Sequence, residues 1–121
     1  MHFDYAALDL KIRSDLPEAY RNTWTKIASP GNWWSGEDRV AIISEVRAAR
    51  DCDLCAKRKL ALSPFSVMGE HKVKTNLNDV TIDAVHRIVT DVSRLTKDWL
   101  EKCVEQGLSK EKYIELLGIV V

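Results

Sequence analysis

The sequence predicts an all-α domain, and three observations carry that expectation. Apolar residues recur every three or four positions through most of the chain, the period of a helix with one buried face. Asp, Ser and Asn residues precede these stretches, and Pro or Gly residues close them, as helix caps and stops do. Alternation of the strand kind is loose and short where it occurs, at residues 1 to 14 and 72 to 77. At 121 residues the chain is long enough for one core and too short for two, so residues 1–121 are read as a single domain. Within it, residues 1–34 form an N-terminal arm and first helix, and 35–121 form the body.

In the arm, Phe3, Tyr5, Leu8, Leu10 and Ile12 give it apolar surface to bury. Asp15 with Glu18 fits a capping box, and Pro17 is tolerated in a first turn because its missing N–H has no helical partner there. Leu16, Ala19, Tyr20, Thr23, Trp24 and Ile27 follow at helical spacing, and Ser29-Pro30-Gly31 stops that helix. Of the neighbouring Trp33 and Trp34, one is expected on the core and the other over the next helix, a ligand or a second subunit.

Ser35 and Asp38 open a second helix, in which Val40, Ile43 and Val46 are widened by Ala41 and Ile42 into a broad buried face. After it, Asp51 caps a fresh helix from Cys52 to about Leu62, or the helix runs on with a kink; Ser63-Pro64 ends it either way. Residues 65 to 77 read as a long connection that carries His71. Asn78 caps the next helix, with Ile82, Val85, Ile88, Val89 and Val92 on its stripe. Leu95, Trp99, Leu100 and Cys103 continue it, with a break at Thr90 to Ser93. Gly107 supplies a left-handed stop and Ser109 caps the last helix. Its apolar end, Ile119 to Val121, calls for burial by a partner subunit or for a longer chain.

Eighteen basic and eighteen acidic residues cancel, leaving no field to collect nucleic acid or anionic lipid, so neither is expected as a partner. No apolar run nears the roughly 20 residues that cross a bilayer, and the first residues lack the basic-then-apolar order of a signal peptide. A cytoplasmic protein is the expectation. Three cysteines, an odd number, do not make a disulfide framework; in a reducing compartment a Cys-x-x-Cys is redox-active or metal-binding.

The chemistry centres on Cys52 and Cys55, whose spacing puts both thiols on one side of a helix, within reach of a disulfide or a shared metal. Arg47, Arg50, Lys57, Arg58 and Lys59 surround them and, with a helix N-terminus, favour thiolate. A peroxide would oxidise one thiolate to a sulfenic acid, and the neighbour would condense with it to a disulfide. Glu45 is a candidate to accept or relay the thiol proton; its plain alternative is a solvated carboxylate paired with Arg47, Arg50 or Lys59. His86 either reaches the dithiol or is a hydrogen-bonded core residue, and Cys103 on the buried stripe is inert packing. Zinc is the structural alternative, with His71, His86 or Cys103 completing a tetrahedral set.

The run Asp38-Arg39-Val40-Ala41-Ile42-Ile43-Ser44-Glu45 leading into Cys52-x-x-Cys55 pairs with a later Gly107-Leu108-Ser109-x-Glu111-x-x-Ile114-Glu115-Leu116. Together these resemble the alkylhydroperoxidase AhpD-like branch of the carboxymuconolactone decarboxylase superfamily, over residues 35 to 121. The resemblance implies an all-helical fold of about six helices that assembles into homo-oligomers through helix packing. It also implies thiol-dependent peroxide reduction in which Cys55 attacks, Cys52 resolves and a dithiol reductant recycles the pair, with no bound cofactor. The family commonly carries His where this chain has Lys59, and Glu where it has Val40, which leaves Glu45, His86 and His71 as candidates for the proton relay. The alternatives are a non-enzymatic helical oligomer with structural or zinc-binding cysteines, and a lactone-type enzyme of the same superfamily.

Overall fold

Backbone hydrogen bonding closes only helices and turns in the computed structural model of the chain, which describes residues 4–121. Among the described residues, six α-helices follow one another: α1 (Asp15–Ile27), α2 (Gly36–Ala49), α3 (Asp53–Leu60), α4 (Asp79–Asp91), α5 (Lys97–Glu105) and α6 (Lys110–Val120). Short 3-10 turns lie at Tyr5–Ala7 and Val92–Arg94. The all-α expectation holds, as does the break after Thr90.

Side-chain caps set most of the boundaries. Ser35, Asn78, Thr96 and Ser109 accept from the backbone N–H of Asp38, Thr81, Trp99 and Lys112 at 3.1, 3.1, 3.2 and 3.2 Å. Each satisfies a donor that the helix itself leaves orphaned, a contribution of about 1 kcal/mol apiece. Past α5 the chain turns through Gly107 at φ +103°, and Leu108 N–H bonds Cys103 C=O at 3.0 Å while Gly107 N–H bonds Val104 C=O at 3.1 Å. That pairing requires a left-handed residue, which glycine adopts without a Cβ clash.

Two expected caps are corrected. Asp15 is the first residue of α1 and pairs with Arg13 at 2.6 Å, while Ser14 in the N-cap position makes no capping bond. Asp51 does not open α3: it closes a turn onto Ala48, and the N-cap is Cys52 with extended φ −86° and ψ 118°. The second helix therefore ends at Ala49 and the dithiol begins a new one. That helix stops at Leu60, short of Ser63-Pro64. Its last carbonyls are taken by Arg94, which donates to Arg58 C=O at 2.8 Å and Ala61 C=O at 2.7 Å and is held by Asp91 at 2.6 Å. A cation at a helix C-terminus also opposes the negative end of its dipole.

α2, α4 and α6 pack against one another, and α3 lies along α4. Their shared core contains Trp34, Ile42, Val80, Ala84, Val85, Ile88, Trp99, Cys103, Leu108 and Leu116. Trp34 is the core member of the tryptophan pair, and Trp33 stays 52% exposed. Glu115 on α6 fastens the loop that carries them, accepting from the backbone N–H of Asn32, Trp33 and Trp34 at 2.8, 3.1 and 3.1 Å. Gly31 leaves room for this clamp, because a Cβ there would collide with the Glu115 carboxylate.

The apolar stripe of α1 is less buried than its spacing suggests. α1 meets α2, with Arg47 over the Trp24 ring at 5.6 Å, and contributes no buried residue. In the arm, the Tyr5 ring meets Tyr20 at a tilt, 5.7 Å between centroids, but Leu8 and Leu10 remain exposed; Phe3 lies outside the described residues. On α6, Leu116 is fully buried and Ile119 and Val120 pack on the core, so much of that apolar end is covered by the chain itself. Ile114 stays exposed. Among the described residues, no helix is long and apolar enough to cross a membrane.

Candidate functional site

The start of α3 faces α4 beneath the connection that runs from 61 to 78. Cys52 at the N-cap and Cys55 in the first turn are both buried, and they pack with Leu54 and Val67 as a small cluster separate from the main core. Two imidazoles meet them. His86, in the middle of α4 and fully buried, places Nδ1 3.3 Å from Cys55 Sγ. His71, from the connection, places Nδ1 3.5 Å from Cys52 Sγ and 3.6 Å from Cys55 Sγ. The rings themselves meet tilted by 48°, with 4.2 Å between centroids.

Each imidazole is backed by a carboxylate. Glu45 Oε2 on α2 lies 3.0 Å from His86 Nε2, and its Oε1 accepts from Lys74 N–H and the Thr75 hydroxyl, both at 2.8 Å. Asp83 Oδ1 on α4 lies 2.7 Å from His71 Nε2 and also accepts from Arg58 at 2.7 Å, while Oδ2 accepts from Arg87 at 2.8 Å. Two dyads, Glu45–His86 and Asp83–His71, thus converge on two sulfurs. Among the described residues, no buried side-chain polar atom in the chain lacks a partner, as a stable polar interior requires.

Helix geometry explains part of this convergence. His86 stands four residues before Thr90, whose hydroxyl bonds His86 C=O at 2.8 Å. Asp83 and Arg87 are one helical turn apart and pair along the same face. Arg58 on α3 crosses to Asp83 and also donates to Val67 C=O at 3.1 Å, which ties the connection down over the dithiol.

The electrostatics follow from these contacts. For Cys55 burial opposes ionisation, but hydrogen bonds from His71, then His86, then Cys52 outweigh it and hold the thiol down to about 6. Cys52 is lowered as well: burial opposes, and the Lys72 and Cys55 backbone N–H groups followed by His71 prevail. His71 is raised to about 10, burial being outweighed by Asp83 and the two sulfurs. His86 is raised against burial by Cys55 and Glu45. Glu45 and Asp83 are both lowered, burial being overcome by hydrogen bonds from His86 and from His71 respectively. A thiolate beside an imidazolium is the resting state these shifts describe near neutral pH.

Of the residues the sequence singled out, Cys52, Cys55, His71 and His86 come together directly. Glu45 joins them only through His86. Its reading as a solvated helix-face charge is overturned, since it is fully buried. The expected cloud of Arg and Lys is corrected too: Arg47 covers Trp24, Lys59 reaches Thr90 C=O, Arg58 serves Asp83, and the two imidazoles rather than Arg or Lys side chains hold Cys55 down. Cys103 sits 4% exposed in the main core with its thiol pushed up to about 11 by burial, in keeping with inert packing. Asp83 was not singled out in the sequence, where it looks like half of an ordinary i, i+4 pair with Arg87.

Access comes from two clefts. One of about 410 Å³ is lined by Ala49, Arg50, Cys52, Cys55, Val89 and Thr90 among others, so both cysteines form part of its wall. A second of about 390 Å³ opens onto His71 and Asp83 between Arg58, Glu70 and Asp79.

Fold and site together define an all-helical protein with a buried, histidine-gripped dithiol at the N-terminus of a helix. Comparisons with protein-family models, with curated proteins and with solved structures find no match for this chain.

Proposed function

We propose that this protein is a thiol-dependent peroxidase that works through Cys55 and Cys52. One observation carries the reading. The Cys55 sulfur lies against Nδ1 of two rings, each anchored behind by a buried or half-buried carboxylate, with a second sulfur within 4.8 Å.

Cys55 thiolate attacks the distal oxygen of a peroxide ROOH. The O–O bond breaks, an S–O bond forms, and the departing alkoxide takes a proton from the His86 imidazolium, giving Cys55 sulfenic acid and ROH. Glu45 stabilises the cation before transfer and keeps the ring aimed. Cys52, held toward its thiolate by the Lys72 N–H and the His71 imidazolium, then attacks the Cys55 sulfur. Hydroxide leaves, takes the His71 proton to become water, and a Cys52–Cys55 disulfide remains. A dithiol reductant returns the pair to thiols by exchange, so the balance is ROOH plus dithiol giving ROH, water and a disulfide. Cys55 is assigned the attack because both rings reach it, whereas Cys52 touches only His71.

The test is peroxide consumption with dithiothreitol as donor. Cys55→Ser is expected to abolish turnover, and Cys52→Ser, freed of dithiothreitol before peroxide is added, to permit one oxidation per chain, trapped as a dimedone adduct on Cys55. A Cys55→Ser protein that turns over at the wild-type rate overturns the proposal.

A further inference from the structure

We infer that the same four side chains form a tetrahedral site for a thiophilic divalent cation, zinc above all, whose binding and the peroxidase chemistry exclude one another. This deepens the peroxidase reading at the same site, adding a ligand that would cap the reduced dithiol.

The geometry comes first. Cys52 Sγ, Cys55 Sγ and one ring nitrogen each of His71 and His86 all lie within 4.8 Å of one another. Zinc binds thiolate sulfur at ~2.3 Å and imidazole nitrogen at ~2.0–2.1 Å, so a regular tetrahedron separates an S–N pair of ligands by about 3.5–3.6 Å. Three of the four S–N separations here are 3.5, 3.6 and 3.3 Å, and the fourth, Cys52 to His86, falls within 4.8 Å. A cation at the centre therefore needs shifts of only tenths of an ångström along the first three edges.

The surroundings of the ligands supply the second argument. Metal-ligating histidines commonly give their other N–H to a carboxylate, which selects the tautomer and orients the ring. Both rings meet that condition: Nε2 of His71 faces Asp83 at 2.7 Å and Nε2 of His86 faces Glu45 at 3.0 Å. With the Nε2 proton held by the carboxylate, neutral His presents its Nδ1 lone pair to the sulfurs. Charge also closes. Glu45 and Asp83 are matched by Arg58 and Arg87, the two guanidiniums that bond Asp83, so two thiolates with a dication leave the cluster neutral. Hard cations that want oxygen ligands find none of the right kind facing inward, which selects for soft or borderline metals.

Four protein ligands complete a tetrahedron and leave no position for substrate. Metal binding displaces the thiol protons and engages both sulfurs, so a loaded chain cannot present the Cys55 thiolate to a peroxide.

The experiment begins with reduced, chelator-stripped full-length protein titrated anaerobically with cobalt(II) alone. The expected result is saturation at one equivalent, with tetrahedral d–d absorption, sulfur-to-cobalt charge transfer and displacement by one equivalent of zinc. His71→Ala, which alters the connection rather than a core helix, should weaken cobalt and zinc binding and shift the d–d bands as water takes the fourth position. Asp83→Asn should weaken zinc binding by ~10–100-fold. Zinc-loaded protein should resist iodoacetamide at both cysteines and lose peroxide turnover in proportion to occupancy. An octahedral cobalt spectrum, absence of charge transfer, or zinc affinity unchanged in a folded His71→Ala protein overturns the metal site. If stripped protein consumes peroxide but binds no zinc, the metal site alone falls. If it binds zinc tetrahedrally but does not consume peroxide when stripped, the peroxidase reading falls and the metal site stands.

Discussion

Replacing Glu45 by Gln separates a relay acting through His86 from a carboxylate that merely fills space. The substitution keeps the shape and removes the charge. Glu45 Oε1 already accepts from Lys74 N–H and the Thr75 hydroxyl at 2.8 Å each, so the amide oxygen takes that place and its NH₂ group turns to His86 Nε2. Facing a donor, Nε2 must accept. The single ring proton then moves to Nδ1, 3.3 Å from Cys55 Sγ, and the imidazolium loses its counter-charge. A hydrogen bond to a charged group contributes about 1.5–3 kcal/mol. At about 1.4 kcal/mol per factor of ten, loss of that stabilisation slows the step that needs the cation by roughly 10- to 100-fold. Stopped-flow oxidation of reduced, chelator-treated protein in a single turnover reads this rate, and repeating it across pH should show the thiolate titrating higher than in wild type. Circular dichroism establishes that the variant is folded. Oxidation within about twofold of wild type at every pH, in a folded Glu45→Gln protein, refutes the relay.

Alkylation of metal-free protein should proceed at Cys55 with half-maximal rate near pH 6: above it the thiolate dominates, and below it protonation removes the nucleophile. Peptide mapping should find Cys103 untouched in the native protein at neutral pH, its thiol being held up to about 11; a Cys55 profile centred at the ordinary thiol value of 9.0 contradicts this ordering. Arg94→Ala removes two charge-assisted bonds to the end carbonyls of α3, at 2.8 and 2.7 Å. It should cost about 2 kcal/mol and lower the melting temperature by roughly 6–12 °C, with faster amide exchange in α3; a shift under about 1 °C counts against that role. Glu115→Gln leaves three backbone N–H groups sharing one amide oxygen and should lower stability in urea by about 2–3 kcal/mol, with Trp fluorescence reporting a loosened 31–34 loop.

Much of the scaffold is legible in the chain because the forces that shape it act over three or four residues. Ser35, Asn78 and Ser109 cap where they stand in the sequence, Gly107 turns left-handed where a stop was needed, and Cys103 lies on the stripe that becomes the core. The misreadings arise where local pattern is silent about neighbours. The α1 stripe looks like a core face, but periodicity says only that a face is apolar, not how much of another element meets it. Glu45 stands between a relay and a solvated charge, and Asp83 looks like a surface charge, because a carboxylate amid basic residues usually is one. His71 falls in a stretch with no period, where nothing local aims a side chain.

What the sequence by itself determined is an all-helical chain, its breaks and caps, and a cysteine pair placed to share one end of a helix. Only the tertiary structure decided what grips that pair. His71 meets Asp83 across 12 positions, His86 meets Cys55 across 31, and Glu45 meets His86 across 41. Contacts of that span are made by the packing of α2, α3 and α4 and by the path of the connection over them. No capping rule or helical period reaches so far along a chain, whereas burial brings the carboxylates and imidazoles together, because a charge taken out of water must find its partner.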